Sequence, residues 1–297
     1  MAQPVRPLDP LAVRSAVAIA LEEDRARHDV TTLAVVPAAQ RGRAVLRARE
    51  AGVACGLAAA RETFAQLSEQ LAFVALVDEG ATVEPGDALA EVSGPLAPLL
   101  QAERVALNFV QRLSGIATLT RRLVERAAAG GPARVVDTRK TTPGLRELER
   151  YAVRAGGAFN HRNTLEDGVL IKDNHLRAGE ARGIGIAGLI REARRAVPHT
   201  LRVEVEVTDE GGARAAVEAG ADVILLDNMS PAEMSGVVER LGGGRVLFEA
   251  SGGITLETAA AVAASGVQLI SSGALTHSAP ALDVALDIVP GPEPASR

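Results

Sequence analysis

Tryptophan is absent, and aromatic residues make up only 2% of the chain. Base stacking on a nucleic acid therefore lacks its usual platform. A formal net charge of −5 supplies no field to draw in a polyanion. The single cysteine, Cys55, has no partner for an internal disulfide, which fits a reducing cytoplasm. No apolar run approaches the roughly 20 residues that a membrane-spanning helix needs. The opening residues "MAQPVRPLDP" lack the basic-then-apolar order of an export signal. The scarcest charge is lysine. Against 32 basic residues in all, lysine stands only at positions 140 and 172, each at the end of an apolar run, in "VVDTRK" and "GVLIK". The remaining composition, 47% hydrophobic and 23% charged over 297 residues, is that of a soluble globular chain with room for one large domain or two smaller ones.

The first third reads as α+β. In "DPLAVRSAVAIALEEDRA" Asp9 is placed to cap a helix that starts at Pro10. Strands are expected at "GRAVLRARE" and "LAFVALVD", with a helix at "GLAAARETFAQLSEQ" between them. "DEGATVEPGDALAEVSG" has the glycine punctuation of a β-hairpin. It is no cofactor-carrier hairpin, because no lysine lies there to be modified. One or two long helices follow, with a break expected near Ser114 and Gly115.

From Arg134 onward apolar strands alternate with helical runs, about six units at intervals of about 20 to 25 residues. Such alternation means a parallel sheet with helical crossovers. The spacing suits an α/β barrel two strands short of the usual eight. A doubly wound open sheet is the alternative, but the first strand ends in "DTRK" where that fold usually carries a glycine-rich loop. In a barrel the chemistry sits at the C-terminal strand ends. The polar residues fall there: Thr138, Arg139 and Lys140 after the first strand, Lys172 after the second, Glu206 on the third and Asp227 on the fourth. Ser251, Gly252 and Gly253 follow the fifth strand, and Ser272, Gly273 and Ala274 the sixth. These last two loops are small, and their backbone N–H groups suit a phosphate. His161 and Arg162 add cations from the loop before the second strand. Arginine offers a planar fork to a carboxylate or phosphate, and lysine a compact point charge. Glu206 and Asp227 supply the opposite sign and can hold Mg²⁺ on a diphosphate. A Schiff-base aldolase and a non-enzymatic anion-binding protein stay open as other readings of these residues.

The stretches "AERVALNFVQRLSGIAT", "DTRKTTPGLRELERYAVRAGGAFNHR", "LIKDNH", "EVEV", "ILLDN", "SGG" and "GALTHS" occur in this order over roughly residues 8 to 289. Together they resemble the quinolinate phosphoribosyltransferases. The resemblance implies an N-terminal α/β sandwich domain over residues 1–115 and an incomplete α/β barrel over 116–277. It also implies a C-terminal segment, 278–290, returning to the first domain, and the tail 291–297 matches nothing and reads as disordered. It implies that quinolinate and 5-phosphoribosyl diphosphate (PRPP) are joined with Mg²⁺ and loss of CO2. It places the quinolinate carboxylates at Arg139, His161, Arg162 and Lys172, with Arg104 reaching in from the partner of a homodimer. Lys140, Glu206 and Asp227 would then serve the diphosphate, ribose and metal. The loops at 251–253 and 272–274 would take the 5-phosphate, with Thr138 beside the substrates. No nucleic acid and no membrane is expected as a partner.

Overall fold

Asp9 and Pro10 start the first helix as their side chains dictate. The Asp9 carboxylate accepts the Leu11 N–H at 2.9 Å, and Pro10, whose missing N–H matters least in a first turn, opens α1 (Pro10–Glu23). The computed structural model describes residues 7–289; the tail 291–297 lies outside the described residues. Two compact units make up the chain. One takes in residues up to Arg121, Thr141–Gly157 and residues from Thr276 on; the other consists of Arg122–Lys140 and Ala158–Leu275. Among the described residues no helix is long and apolar enough to cross a membrane.

In the first unit α1 is followed by α2 (Val30–Val35), β1 (Arg41–Ala48), β2 (Gly52–Val53), α3 (Leu57–Leu67), β3 (Ala72–Ala75), β4 (Thr82–Val83), β5 (Ala88–Pro95) and, as far as Arg121, α4 (Leu96–Ala128). β1, β5 and β3 lie side by side and antiparallel. Leu46, Leu89 and Val92 of this sheet share one core with Leu57 and Phe64 of α3 and Leu99, Ala102 and Val110 of α4. The segment read as a hairpin is not one. The turn itself forms, with the Asp87 N–H reaching Glu84 O at 3.0 Å, but β4 pairs with β2. β5 already has β1 on one edge and β3 on the other, so no edge is left for β4.

α4 also departs from expectation, running unbroken through Ser114 and Gly115 over 33 residues. Ser114 does not end the helix; its hydroxyl accepts the Cys55 N–H and donates to the Cys55 carbonyl, both at 2.9 Å. Gly115 is there for room: a Cβ at 115 would stand 1.9 Å from the Pro280 carbonyl oxygen.

The second unit is a parallel sheet. Its strands are β6 (Arg134–Val136), then, after α5 (Arg146–Ala155) of the first unit, β7 (Val169–Ile171), followed by α6 (Asp173–Glu180), α7 (Ile186–Ala196), β8 (Val203–Val207), α8 (Glu210–Glu218), β9 (Val223–Asp227), α9 (Pro231–Leu241), β10 (Leu247–Ser251), α10 (Ala259–Ala264) and β11 (Leu269–Ser271). In the stretch "TLETAAAVAASG" Thr255 and Thr258 cap each other's backbone N–H groups, at 3.3 and 2.9 Å, ahead of α10. Strand order is β6-β11-β10-β9-β8-β7. A doubly wound sheet would reverse direction at an inner strand. This order instead runs once around a circle cut between the first and second strands, as in a six-stranded incomplete barrel. The last strand, β12 (Val284–Val289), returns to the first unit and pairs antiparallel with β1, Ala48 facing Val284.

Period-two alternation sets which side chains point inward. On β8 the valines 203, 205 and 207 are buried on one face, leaving Glu204 and Glu206 on the other. On β10 the same alternation aligns Glu249 with Ser251, and on β9 Leu225 with Asp227. The polar side of three neighbouring strands thus faces one interior.

Gly115→Ala separates the two explanations for this glycine. Helix propensity alone would make alanine more stable by about 1 kcal/mol. The contact with Pro280 makes it less stable by roughly 2 kcal/mol or more. Urea unfolding of the two proteins should show the loss; a gain would mean that the 279–281 segment does not press on α4.

Candidate active site

Lys140 and Lys172 share one cavity. It holds about 620 Å³ in the second unit and is lined by residues from all six strand ends. Thr138, Arg139 and Lys140 come from β6, Lys172 from β7, Glu206 from β8, Asp227 from β9, and Ser251, Gly252 and Gly253 from β10. His161 and Arg162 enter from the loop before β7. Of the residues marked out in the sequence, Ser272, Gly273 and Ala274 are not among its lining residues, although Ser271 is. The Ser272 N–H donates to the Val136 carbonyl at 3.1 Å. Arg104 is exposed on α4 in the first unit. A second cavity of about 570 Å³ in that unit, lined by Ile19, Val105, Phe109 and Leu113 among others, has no such convergence of charge.

The mouth is electrostatically divided. Burial, and then the neighbouring guanidinium of Arg139, holds Arg162 below the ordinary arginine range. These two forks therefore stand close enough to repel, a cost that an anion between them would remove. Arg162 Nη1 donates to the Gly168 carbonyl at 3.2 Å, which aims the side chain. Lys172 Nζ lies 3.2 Å from Glu206 Oε2. The Asp227 carboxylate accepts from Asn228 Nδ2 at 2.8 Å. Asn228 is left-handed at φ 55°, a conformation that asparagine tolerates better than most residues. Gly252 makes room for it: a Cβ there would sit 2.2 Å from Asn228 Oδ1. With Gly252 at φ 85° and Gly253 at φ 61°, the turn presents bare backbone to the mouth.

Beneath the mouth lies a cluster that sequence reading missed. His161 Nε2 is 3.2 Å from Glu204 Oε2 and 3.5 Å from Glu249 Oε2. Burial works against charge on His161, but the hydrogen bonds and charges of the two carboxylates outweigh it and push the group up to about 10. Nδ1 already accepts the Arg162 N–H at 2.7 Å, so a proton on Nδ1 would face another. The ring's own proton is therefore on Nε2, and the further proton that the cluster holds is shared with the carboxylates that Nε2 faces. Burial in turn raises Glu204, with the His161 hydrogen bond opposing and Glu249 adding. Asp137, fully buried, accepts Asn160 Nδ2 at 2.6 Å and the His161 N–H at 2.8 Å. The signal for Glu204 and Glu249 was an acid inside an otherwise apolar run, in "RVEVEV" and "VLFEAS". Strands buried on both faces should carry none without a partner.

Two sets of acids could hold a cation. His161, Glu204 and Glu249 are the grouping of three ligand-bearing side chains among the described residues. With its proton on Nε2, however, His161 offers no lone pair to a metal there. Glu206 and Asp227 sit on adjacent strands and line the mouth. Two carboxylates suit a hard ion such as Mg²⁺ that takes its remaining oxygens from a phosphate substrate and water.

The N-terminal domain of quinolinate phosphoribosyl transferase matches residues 29–114, and its C-terminal domain matches residues 116–287. The probable nicotinate-nucleotide pyrophosphorylase [carboxylating] of Bacillus subtilis is 43% identical over 266 residues, covering 90% of each chain. The human nicotinate-nucleotide pyrophosphorylase [carboxylating] is 42% identical over 258 residues, covering 86% of this chain and 85% of its own. The solved nicotinate-nucleotide pyrophosphorylase from Francisella tularensis superposes with a TM-score of 0.88 at 35% identity, over 97% of this chain and 100% of that one.

The His161 cluster sets a pH dependence of stability. A group held above its ordinary value of 6.5 contributes stability that is complete below that pH and is lost as pH rises toward 10. Burial also holds the Cys55 thiol well above its usual range, which costs stability at higher pH, so the informative window is about pH 6.5 to 8.5. Urea midpoints should fall across it in the wild type and much less in His161→Gln. Parallel slopes would mean that the proton is not held here.

Proposed function

The chain belongs to the quinolinate phosphoribosyltransferase family, and we propose that the cation-lined mouth of its second unit is where that family's two substrates meet. The reaction transfers phosphoribosyl from PRPP to the ring nitrogen of quinolinate. It yields nicotinate mononucleotide, diphosphate and CO2, and supplies the pyridine nucleotide in de novo NAD synthesis. The observation that carries the site assignment is the charge pattern: Arg139, Lys140, Arg162 and Lys172 face the same cavity as Glu206 and Asp227.

Each residue has a chemical task in this reading. Arg139, Arg162 and Lys172 clamp the two ring carboxylates, the arginines through bidentate forks. Lys140 neutralises charge on the departing diphosphate. The bare backbone at Gly252 and Gly253, with Ser251, receives the 5-phosphate. Glu206 and Asp227 stabilise the oxocarbenium-like ribose and would hold Mg²⁺ together with diphosphate oxygens; when bound, the ion offsets the leaving group's charge. The anomeric carbon loses its bond to diphosphate as the pyridine nitrogen bonds to it. The nitrogen then carries positive charge, which stabilises the electron pair left on the adjacent ring carbon as CO2 departs. That carbon finally takes a proton. No organic cofactor is required. In this reading the enzyme works in the cytoplasm; its single cysteine, Cys55, is buried and outside any disulfide.

The direct test mixes purified protein with quinolinate, PRPP and Mg²⁺ and follows CO2. Nicotinate lacks one carboxylate and would leave part of the clamp unmatched. It should therefore be used about a hundredfold less efficiently or worse in kcat/KM. Similar values for both acids would sink the clamp.

The same reading makes the active unit a homodimer with shared sites. Arg104 is exposed on α4, outside the barrel unit. Leu11, Ile19, Val30, Leu33 and Val35 are all more than half exposed on α1 and α2, an apolar surface suited to a second copy. Arg104→Ala and Lys140→Ala should each abolish activity. Refolded together they should recover toward about a quarter of wild type, because a mixed dimer carries both lesions in one site and neither in the other. Heterodimers that form yet stay inactive would place Arg104 in its own subunit's site.

A further inference from the structure

Asn228 lines the mouth and has no task in the proposed reaction. It follows Asp227 at the end of β9, beside the turn at Gly252 and Gly253 that follows β10. Its backbone N–H donates to the Ser251 carbonyl at 2.9 Å, one residue beyond the paired Asp227 and Ser251. At φ 55° glycine would serve this backbone at least as well as asparagine. The residue is exposed, so packing in a core does not account for its side chain either. What asparagine supplies here, and glycine would not, is the amide.

That amide has one orientation open to it. An ionised carboxylate only accepts, so the NH2 group must face Asp227, and Nδ2 donates to Asp227 Oδ2 at 2.8 Å. Oδ1 is thereby turned to Gly252. A Cβ at 252 would lie 2.2 Å from Oδ1 and 2.6 Å from Cγ of Asn228. The amide fills the hollow that the missing Cβ leaves. One neutral side chain thus packs against the 5-phosphate turn at one end and bonds the ribose and metal carboxylate at the other. It adds no charge to a mouth that must take anions.

We propose that Asn228 is a positioning residue for PRPP: its amide fixes the rotation of the Asp227 carboxylate and, through Gly252, the spacing between that carboxylate and the 5-phosphate turn. The anomeric carbon and the 5-phosphate of PRPP are joined through one ribose. A site for both ends therefore gains from a fixed distance between its two halves. Quinolinate, clamped by cations of β6, β7 and the loop before β7, does not depend on that distance. This inference rests on the PRPP reading of the mouth.

Asn228→Gly is the informative variant, because it keeps the left-handed backbone and removes only the side chain. PRPP binding by calorimetry with Mg²⁺, steady-state KM and kcat, urea midpoints and a ligand-free crystal structure of the variant test the proposal together. PRPP binding should weaken, and its KM rise, by about tenfold or more, with the KM for quinolinate within about twofold and the urea midpoint kept. In the crystal the Asp227 carboxylate should rotate, and the 252–253 turn should shift or take alternate conformers. Gly252→Ala should show the same split between substrates. It should cost less in the Asn228→Gly background than in the wild type, since the atoms it collides with are gone. If Asn228→Gly loosens the fold, Asn228→Asp keeps the shape, loses the donor and should still raise the KM for PRPP. An asparagine that serves only its backbone angle predicts that glycine matches it in every measurement. That result overturns the proposal, as do an equal loss for both substrates, lesions whose effects multiply in full, or an unmoved Asp227 and turn in the variant. Wild-type protein that fails to bind PRPP sinks the substrate reading instead, and the crystal structure still decides whether the amide holds the turn.

Discussion

A carboxylate inside a barrel of parallel strands must find a partner, and Glu204 and Glu249 find the same one. An isolated buried carboxylate is among the most expensive groups a fold can hold. Here β8 and β10 each carry one on the inward face, separated by β9. His161 meets both. A buried pair is weak as a source of stability, because desolvation consumes much of the Coulomb gain. What it provides is placement. Among the described residues Glu249 has no hydrogen-bond partner at either oxygen, so His161 offsets it by charge at 3.5 Å and not by a bond.

That placement matters because the barrel is incomplete. In a closed barrel the ladder between first and second strands would fix the strand-end residues of both. The cut removes that constraint at the strand ends that line the mouth cavity. Three kinds of restraint stand in its place: the Asp137 hydrogen bonds to residues 160 and 161, the Arg162 fork on Gly168, and the imidazole tie. Strain is confined to the other side of the mouth, where Asn228 is left-handed and Gly252 yields the space it needs. Unusual backbone of this sort persists where surrounding contacts over-determine it.

Much of this was legible in the sequence. The alternation of apolar strands and helical runs gave the barrel, and polar residues after each strand marked its mouth. The part that was not legible concerns direction and distance. Gly115 reads as a helix breaker because a sequence shows its low propensity and not the Pro280 carbonyl against it. The "EPGD" turn reads as a hairpin because the pairing of β5 on both edges is a property of strands far away in the chain. Residues 272–274 resemble 251–253 as strings, yet only the latter line the mouth cavity. Glu204 was hidden beside Glu206 in the same "EVEV", since both lie on one face at different depths.

The scarcity of lysine now has a physical place. A clamp for a planar dicarboxylate works best with rigid forks, and Arg139 and Arg162 are the partly buried cations of the mouth. Lys140 and Lys172 are its exposed ones. A flexible stem with a compact head can follow a group whose charge moves during the reaction, as diphosphate does on leaving and a carboxylate does on becoming CO2. Arginine at those two positions would keep the charge and lose that freedom. The larger head would also have to fit beside Glu206, which Lys172 reaches at 3.2 Å. In the proposed reading the division is therefore between partly buried arginines, of which Arg162 is aimed by the Gly168 carbonyl, and lysines left exposed at the solvent edge.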